Sequence, residues 1–130
     1  MNIGEKHTLT YTVTEKDTAD ILGSGGLPVY ATPAMICLME KTAYDFAAQN
    51  GHQTVGTKVE ISHLRACKTG TALTCTAELK EEEGRKLVFQ VSVSDEKGLI
   101  GEGLHGHAAW QTRRFFGRDV CRSSLPRKNR

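Results

Sequence analysis

One segment, residues 32–50, constrains the fold more than any other part of the chain. It reads TPAMICLMEKTAYDFAAQN and is apolar on almost every side, whereas a helix on a protein surface carries a single apolar stripe. Thr32 is a preferred N-cap, Pro33 suits the first helical position, and Gly51 suits a left-handed stop. We therefore predict one long helix that is enclosed by other structure.

Five stretches in which apolar and polar residues alternate predict strands, one before the helix and four after it. The predicted strands cover residues 7–14, 54–65, 72–82, 86–94 and 99–112. Between the first strand and the helix, residues 17–22 predict a short helical turn, which a flexible glycine-rich loop follows. In the second strand one face is expected to carry Val55, Thr57, Val59, Ile61 and His63.

Four successive antiparallel strands beside a helix too apolar for its own surface predict an α+β fold. In this fold a curved antiparallel sheet wraps around one long central helix. A single layer of this kind leaves one flank of the helix and sheet open. We therefore predict a homodimer, with a tetramer as the open alternative.

Length and charge bound the domain organisation. The 130 residues suffice for one domain, which we place at residues 1–112. Residues 113–130 contain six Arg and one Lys against one Asp, a charge of about +6, which leaves about −4 for the rest of a chain of net charge +2. We predict a poorly ordered basic tail there. The mildly acidic body argues against a nucleic-acid partner, because such domains carry a basic stripe on the fold itself.

The sequence carries no signal for secretion or membrane insertion. No apolar run reaches the length of a membrane span, and the first 14 residues lack the apolar core of a signal peptide. We predict a cytoplasmic protein without a membrane partner. The four cysteines form no CxxC pair, so Cys37, Cys67 and Cys75 are expected as reduced core residues and Cys121 as an exposed residue of the tail.

Glu40 is the one carboxylate in the most apolar half of the predicted helix. A buried Glu is costly unless it is paired or used chemically. His63 lies on the strand face expected to cover the helix, so the two side chains project into the same layer. A carboxylate beside an imidazole lets the pair move a proton near neutral pH. The alternatives are a Glu satisfied at a subunit interface and a His satisfied in the core.

Thr32 is the third candidate. Its hydroxyl would lie at the positive end of the helix dipole, where free amides can hold a polarised carbonyl oxygen, although an N-cap also has a purely structural role. Eight residues separate Thr32 from Glu40, about 12 Å along a regular helix. A shared site therefore requires a substrate between them, a distorted first turn, or the neighbouring subunit.

His105 and His107 share one face of the last predicted strand. Two such residues can bind a metal, and Cys67 or His52 are distant candidates for a further ligand. No third ligand, however, lies at a spacing typical of a metal-binding motif. We therefore predict neither a metal nor another cofactor. The glycines around them, Gly101, Gly103 and Gly106, indicate a close backbone approach instead, to a ligand or to a partner subunit.

Several segments resemble the fluoroacetyl-CoA thioesterase family, whose fold is the hotdog fold. They are Val29-Tyr30-Ala31-Thr32-Pro33 through Leu38-Met39-Glu40, Val55-Gly56-Thr57 leading to Ser62-His63, Ala77-Glu78-Leu79 with Glu83-Gly84-Arg85, and Ile100-Gly101-Glu102-Gly103-Leu104-His105. The resemblance covers most of residues 10–112. It implies a hotdog thioesterase in which the catalytic threonine, glutamate and histidine fall on Thr32, Glu40 and His63.

The resemblance also implies residues that contact the substrate. The family's glycine whose amide faces the thioester falls on Gly56, and its Gly-x-His segment ends at His105. Two positions depart from the family pattern: the aromatic residue that gates the acyl pocket falls near Gly26, and an arginine falls on His107. The resemblance therefore implies the hydrolytic residues but not the fluoroacetyl selectivity.

We predict an acyl-CoA thioesterase that hydrolyses a small acyl thioester to the free acid and CoA. Glu40 would act as base or transient nucleophile and His63 would relay protons, while the Gly56 amide and Thr32 would stabilise the developing negative charge. One alternative is an acyl-CoA-binding module without activity. Another is an enoyl thioester hydratase, which the absence of that family's Asp-containing segment disfavours.

Overall fold

The structure is a computed structural model that describes residues 1–110. The strands are β1 (Lys6–Thr12), β2 (Gln53–His63), β3 (Ala72–Glu83), β4 (Lys86–Asp95) and β5 (Gly98–Trp110), and the helices are α1 (Ala19–Leu22) and α2 (Thr32–Gln49). A 3-10 turn, Glu15–Asp17, precedes α1. The predicted tail of residues 113–130, with Cys121, lies outside the described residues.

The five strands form one antiparallel sheet in the order β1-β3-β4-β5-β2. Helix α2 packs on one face of this sheet, as the sequence predicts. The order differs from a succession of neighbouring hairpins, because β2 pairs with β5 and not with β3, which follows it in the chain. β2 and β1 consequently form the two edges. Within the described part of the chain, no helix combines the length and hydrophobicity needed to cross a bilayer.

Helix α2 begins one residue earlier than its capping signals predict. Ala31 is the N-cap, Thr32 is the first helical residue, and the Thr32 side chain makes no capping hydrogen bond. Its hydroxyl is therefore free for another partner, and the prediction of an N-cap at Thr32 is wrong. The predicted stop is confirmed, since Gly51 has a φ of +85°, a conformation that costs glycine little.

Within residues 1–110, only one side of α2 is enclosed. The buried stripe consists of Met35, Leu38, Met39, Thr42, Ala43, Phe46 and Ala47. Burying a Leu, Met or Phe side chain contributes about 1.5–3 kcal/mol, so the stripe holds the helix on the sheet. Cys37 and Tyr44 lie on the opposite side and are exposed. The prediction that Cys37 is a core residue is wrong, because the sheet covers one face of the helix and not its circumference.

The sheet face against α2 is apolar, as the alternation in β3 and β4 predicts. Eight side chains of these two central strands are almost wholly buried: Leu73, Cys75, Ala77, Leu79, Leu87, Phe89, Val91 and Val93. Cys75 is the one cysteine in this layer, and Cys67 is half-buried at its margin.

A β-bulge in β2 changes which residues face the helix. The pairing runs Gly56 with His107 and then Lys58 with Gly106, so Thr57 is the extra residue. A bulge of this kind reverses the in-and-out alternation beyond it. Gly56 pairs with the buried His107 and its open side faces Glu40 of the helix. Val55 and Thr57 on either side of Gly56 therefore point away from the helix, which contradicts the prediction that both continue the helix-facing series. Val59, Ile61 and His63, on the far side of the bulge, lie on the predicted face.

Glycines in β5 allow β2 to approach closely. The sequence predicts a close backbone approach at these glycines, and the structure shows which neighbour makes it. A Cβ at Gly103 would overlap the Glu60 carbonyl oxygen and the Ile61 Cα, and a Cβ at Gly101 would overlap the Met35 thioether. The neighbour in this approach is therefore the chain's own strand and helix.

Candidate active site

The first residue of α2 and the last residue of β2 meet at one end of the sheet. The Thr32 Oγ1 and the His63 Nδ1 lie 2.8 Å apart, a hydrogen bond. The ring of Tyr30, which is buried, meets the His63 ring edge-on with the ring centres 6.2 Å apart. Because Thr32 does not cap its helix, its hydroxyl can serve this imidazole.

Burial sets the protonation state of His63. It holds the pKa of His63 below its usual value, and the Arg65 backbone opposes this only partly. The ring is therefore neutral at pH 7. Its Nε2 is buried without a hydrogen-bond partner and is available to a group that enters from outside.

A cleft of about 290 Å³ opens at this pair, lined in part by Tyr30, Thr32, His63 and Arg65. Part of a thioester fits a space of this size, since pockets for small ligands begin near ~300 Å³. Gly26 is not among the lining residues, and a Cβ at Gly26 would meet nothing within 4 Å. The structure therefore does not bring the predicted substrate residue Gly26 into the cleft.

Two turns further along α2, Glu40 meets the other two histidines. Its carboxylate and one ring nitrogen each of His105 and His107 all lie within 4.8 Å of one another. His105 is 0% and His107 1% exposed, whereas Glu40 is half-buried. The pattern in β5 placed both histidines on one face but did not show that the third member is Glu40, because that contact depends on how the helix lies across the sheet.

The carboxylate of Glu40 lies directly against the backbone of Gly56. A Cβ at that position would overlap the Glu40 Oε2, so only glycine leaves the carboxylate where it is. Among residues 1–110 Glu40 makes no hydrogen bond or ion pair. It is a half-buried carboxylate, unpaired in this part of the chain, that fills the space a side chain at position 56 would need, the arrangement expected of a group that acts on a ligand.

The two buried histidines are held neutral. Burial lowers the pKa of His105 to about 4, with a smaller contribution from His107, and burial also lowers the pKa of His107. The His107 Nδ1 lies 3.1 Å from the Thr54 hydroxyl. The other three ring nitrogens of the pair, both in His105 and Nε2 in His107, are buried without a hydrogen-bond partner. Thr54 is a site residue that sequence reasoning missed, because the bulge that turns it inward leaves no pattern.

The predicted site residues therefore form two clusters within one chain. Thr32 is hydrogen-bonded to His63, while Glu40 lies beside Gly56, His105 and His107. In the described residues no hydrogen bond joins Glu40 to His63. The strand positions opposite the two clusters, Gly101 and His105, are about 13 Å apart along β5. A direct Glu40–His63 contact, as the sequence suggested, does not form within this chain.

Comparison with known proteins places the fold and the family. The profile of the family described as "FlK: Fluoroacetyl-CoA-specific thioesterase" matches residues 13–111. A fluoroacetyl-CoA thioesterase from Streptantibioticus cattleyicolor is 36% identical over 90 residues, which are 67% of this chain and 65% of that protein. The match thus spans slightly less than two thirds of the relative.

Solved structures of this family and of the hotdog fold are also similar to this chain. A variant of the fluoroacetyl-CoA-specific thioesterase FlK, crystallised with fluoroacetate and CoA, superposes with a TM-score of 0.82 at 31% identity, covering 88% of this chain and 99% of that one. A hot-dog-like protein from Thermanaerovibrio acidaminovorans superposes with a TM-score of 0.81 at 21% identity, covering 91% and 90%. The predicted hotdog fold is confirmed.

Proposed function

The chain belongs to the fluoroacetyl-CoA-specific thioesterase family, and from this premise we propose that it hydrolyses a small acyl-CoA thioester to the free acid and CoA. The observation that carries the proposal is the position of Glu40, an unpaired carboxylate against the Gly56 backbone in an otherwise apolar layer. Relatives that bind fluoroacetate and CoA support the substrate class. The departure at His107, which lies beside Glu40, supports a small acyl group other than fluoroacetyl.

In the proposed reaction Glu40 either removes a proton from a water molecule that attacks the carbonyl carbon or attacks that carbon itself. The Gly56 amide and the Thr32 hydroxyl stabilise the negative charge that develops on the carbonyl oxygen. His63, neutral at pH 7 and bonded to Thr32, moves the proton that the departing thiolate takes up. Both routes end in a free acid and a free thiol.

We further propose that the protein is a homodimer and that each active site lies between two subunits. β2 is an edge strand, which presents unpaired backbone groups to a partner. Val59 and Val55 on this strand and the neighbouring Tyr44 are 41%, 40% and 39% exposed. Antiparallel pairing of two β2 strands about a two-fold axis between Val59 and Glu60 would bring Gly56 opposite His63 of the partner subunit, and this register would close the gap between the two clusters. A cytoplasmic location and the larger tetramer stay predictions.

The test replaces Glu40 by Gln and, separately, His63 by Ala. Thiol release from a panel of short acyl-CoAs should fall about 10²- to 10⁴-fold in kcat for each variant, because each loses a group that transfers a proton. Oligomeric mass and thermal midpoint should not change. Glu81→Gln is the matched control, since Glu81 is an exposed carboxylate on β3, away from the proposed interface, with a weak ion pair to Lys86. Turnover at the wild-type rate in both variants contradicts the proposal.

A further inference from the structure

The cluster of Glu40, His105 and His107 contains more hydrogen-bonding capacity than the surrounding protein satisfies. Three of its four imidazole nitrogens are buried without a partner, and the carboxylate is unpaired within the described chain. A buried polar group without a partner costs about 1–3 kcal/mol. Three such groups that converge within 4.8 Å form a site for one small polar species.

The spacing of the rings decides between a water molecule and a metal ion. The ring centres of His105 and His107 are 6.5 Å apart. Two imidazoles that bond one water at about 2.9 Å, near the tetrahedral angle, have ring centres about 6.5 Å apart. Two imidazoles on a tetrahedral zinc at about 2.05 Å have centres about 5 Å apart. The observed spacing fits water, and binding of zinc would require one buried ring to move.

The hydrogen bonds at the second nitrogen of each ring also favour a water molecule over a metal ion. A metal-bound imidazole almost always donates its second N–H to the protein. His107 has such a neighbour in the Thr54 hydroxyl, but neither nitrogen of His105 has one. The donor set is therefore incomplete for a metal centre and sufficient for a hydrogen-bonded water.

We propose that Glu40, His105 and His107 hold the water that attacks the thioester, and that Glu40 is therefore a general base and not the nucleophile. The inference rests on the proposed hydrolysis. If the Thr54 hydroxyl donates to the His107 Nδ1, the His107 Nε2–H donates to the water. The water donates one hydrogen to Glu40 and one to His105, which leaves its second lone pair for the carbonyl carbon.

The reaction balances with these groups alone. The water oxygen forms a bond to the carbonyl carbon while Glu40 takes the proton. The tetrahedral intermediate then collapses, the carbon–sulfur bond breaks, and the thiolate leaves with the electron pair and takes up the proton that Glu40 received, which regenerates the carboxylate. Burial lowers the pKa of both histidines, so both are neutral hydrogen-bonding groups at pH 7, as this arrangement requires.

Kinetics of His107 variants test the role of the imidazole. His107→Leu keeps the buried volume and removes the nitrogens. We expect kcat to fall at least 30-fold while KM stays within 2-fold of wild type, because proton-transfer catalysis contributes about 10²-fold or more. His107→Gln, whose amide can replace one nitrogen, should recover to within about 5-fold of wild type. Thr54→Val, which is isosteric, should lower kcat about 3- to 10-fold and provides the test if the Leu variant does not fold.

His7→Leu is the matched control, because His7 is a half-buried histidine that bonds Asp45 outside the cluster; its kcat should stay within 2-fold of wild type. A His107→Leu enzyme with wild-type kcat overturns the inference while the proposed hydrolysis stands. Absence of hydrolysis in wild type would instead contradict the proposed function.

Isotope labelling and crystallography give readouts that do not depend on these variants. A single turnover in H₂¹⁸O should place ¹⁸O in the released acid and none in the Glu40 peptide; label in that peptide means that Glu40 is the nucleophile and overturns the inference. A crystal structure of the whole chain at about 1.5 Å or better should show one water bonded to all three side chains. A metal ion there, or no shared water, overturns the inference even for an inactive enzyme.

Discussion

At the residue scale, the shape of the site depends on Gly56 as much as on the ionisable groups. The Glu40 carboxylate occupies the space that a side chain at position 56 would need. Since this carboxylate is the far end of a flexible side chain, it can move aside at little cost in stability. On the proposed function, we therefore expect a substitution at Gly56 to affect catalysis more than stability.

We expect Gly56→Ala to lower kcat for acyl-CoA hydrolysis about 100-fold, because misplacing a catalytic group by about 1 Å has an effect of that size. The free energy of unfolding, obtained from a urea titration, should change by less than about 1 kcal/mol. Stopped-flow or plate-based thiol release and equilibrium unfolding measure the two quantities. A large loss of stability would mean that the carboxylate cannot move aside, contrary to this account.

The buried histidines predict how stability depends on pH. The pKa of His105 is 6.5 in its ordinary state and about 4 in the fold, so between these values the unfolded chain binds more protons than the folded one. Stability should fall as the pH drops below about 6.5, and the loss from this group should be complete near pH 4. From pH 7 to pH 5 His105 alone accounts for about 2 kcal/mol.

Urea unfolding at several pH values measures this effect. The stability of His105→Gln should depend less on pH in that window, whereas His52→Gln, which replaces a histidine outside the buried pair, is the control and should retain the wild-type slope. Equal slopes in all three proteins would show that burial of His105 does not set the acid sensitivity.

The residues of the site were predictable from sequence, but their partners were not. Glu40 stood out as a carboxylate in an apolar helix, and His63 as a histidine on a covering strand. Which imidazole meets the carboxylate depends on the crossing of α2 over the sheet, and sequence periodicity carries no information about that. Thr32 was likewise predicted as an N-cap, whereas its hydroxyl is hydrogen-bonded to His63 because Ala31 is the N-cap and Thr32 is the first helical residue.

At the element scale, β2 shows where the alternation of apolar and polar residues no longer predicts which side chains face the helix. The strand was predicted within one or two residues of its bounds, and the series Val59, Ile61 and His63 lies on the expected face. The single extra residue at Thr57 turns Thr54 and Gly56 towards the helix instead of Val55. A bulge needs no special residue type at this position, so the sequence pattern does not reveal it.

The contact between β2 and β5 depends on glycine. A Cβ at Gly103 would overlap backbone atoms of Glu60 and Ile61, which cannot move without opening the strand pair. Gly103→Ala should therefore destabilise the fold by about 1–3 kcal/mol, measured from the urea midpoint. Gly26→Ala, where a Cβ meets nothing, is the control and should stay within about 0.5 kcal/mol of wild type. Equal stability of the two variants would contradict the close approach.

At the scale of the whole molecule, the layer architecture was predictable and the strand order was not. An apolar helix and five alternating strands leave few ways to bury both apolar faces. Alternation does not record which strand neighbours which, so the placement of β2 at the edge beyond β5 comes only from the structure. That placement puts Gly56 and His63 on one open edge.

Mixing inactive variants tests the proposed site between subunits. When Glu40→Gln and His63→Ala chains are unfolded together and refolded as a mixture, half of the dimers are mixed. If Glu40 and His63 of one site come from different chains, each mixed dimer has one intact site, and about one quarter of wild-type activity should return. Each variant refolded alone is the control. No recovery, with mixed dimers confirmed by tagged pull-down, would place both residues in one chain.

The pairing of β2 with β5 also has a consequence during synthesis. Roughly the first half of the chain to leave the ribosome contains the long helix and β2, but the strand that pairs with β2 among the described residues emerges only with residues 98–110. Contacts between segments so distant in sequence form late and slowly. A nascent chain therefore exposes β2 as an unpaired strand for roughly a third of its translation, and the two histidines beside Glu40 are the last of the candidate site residues to arrive.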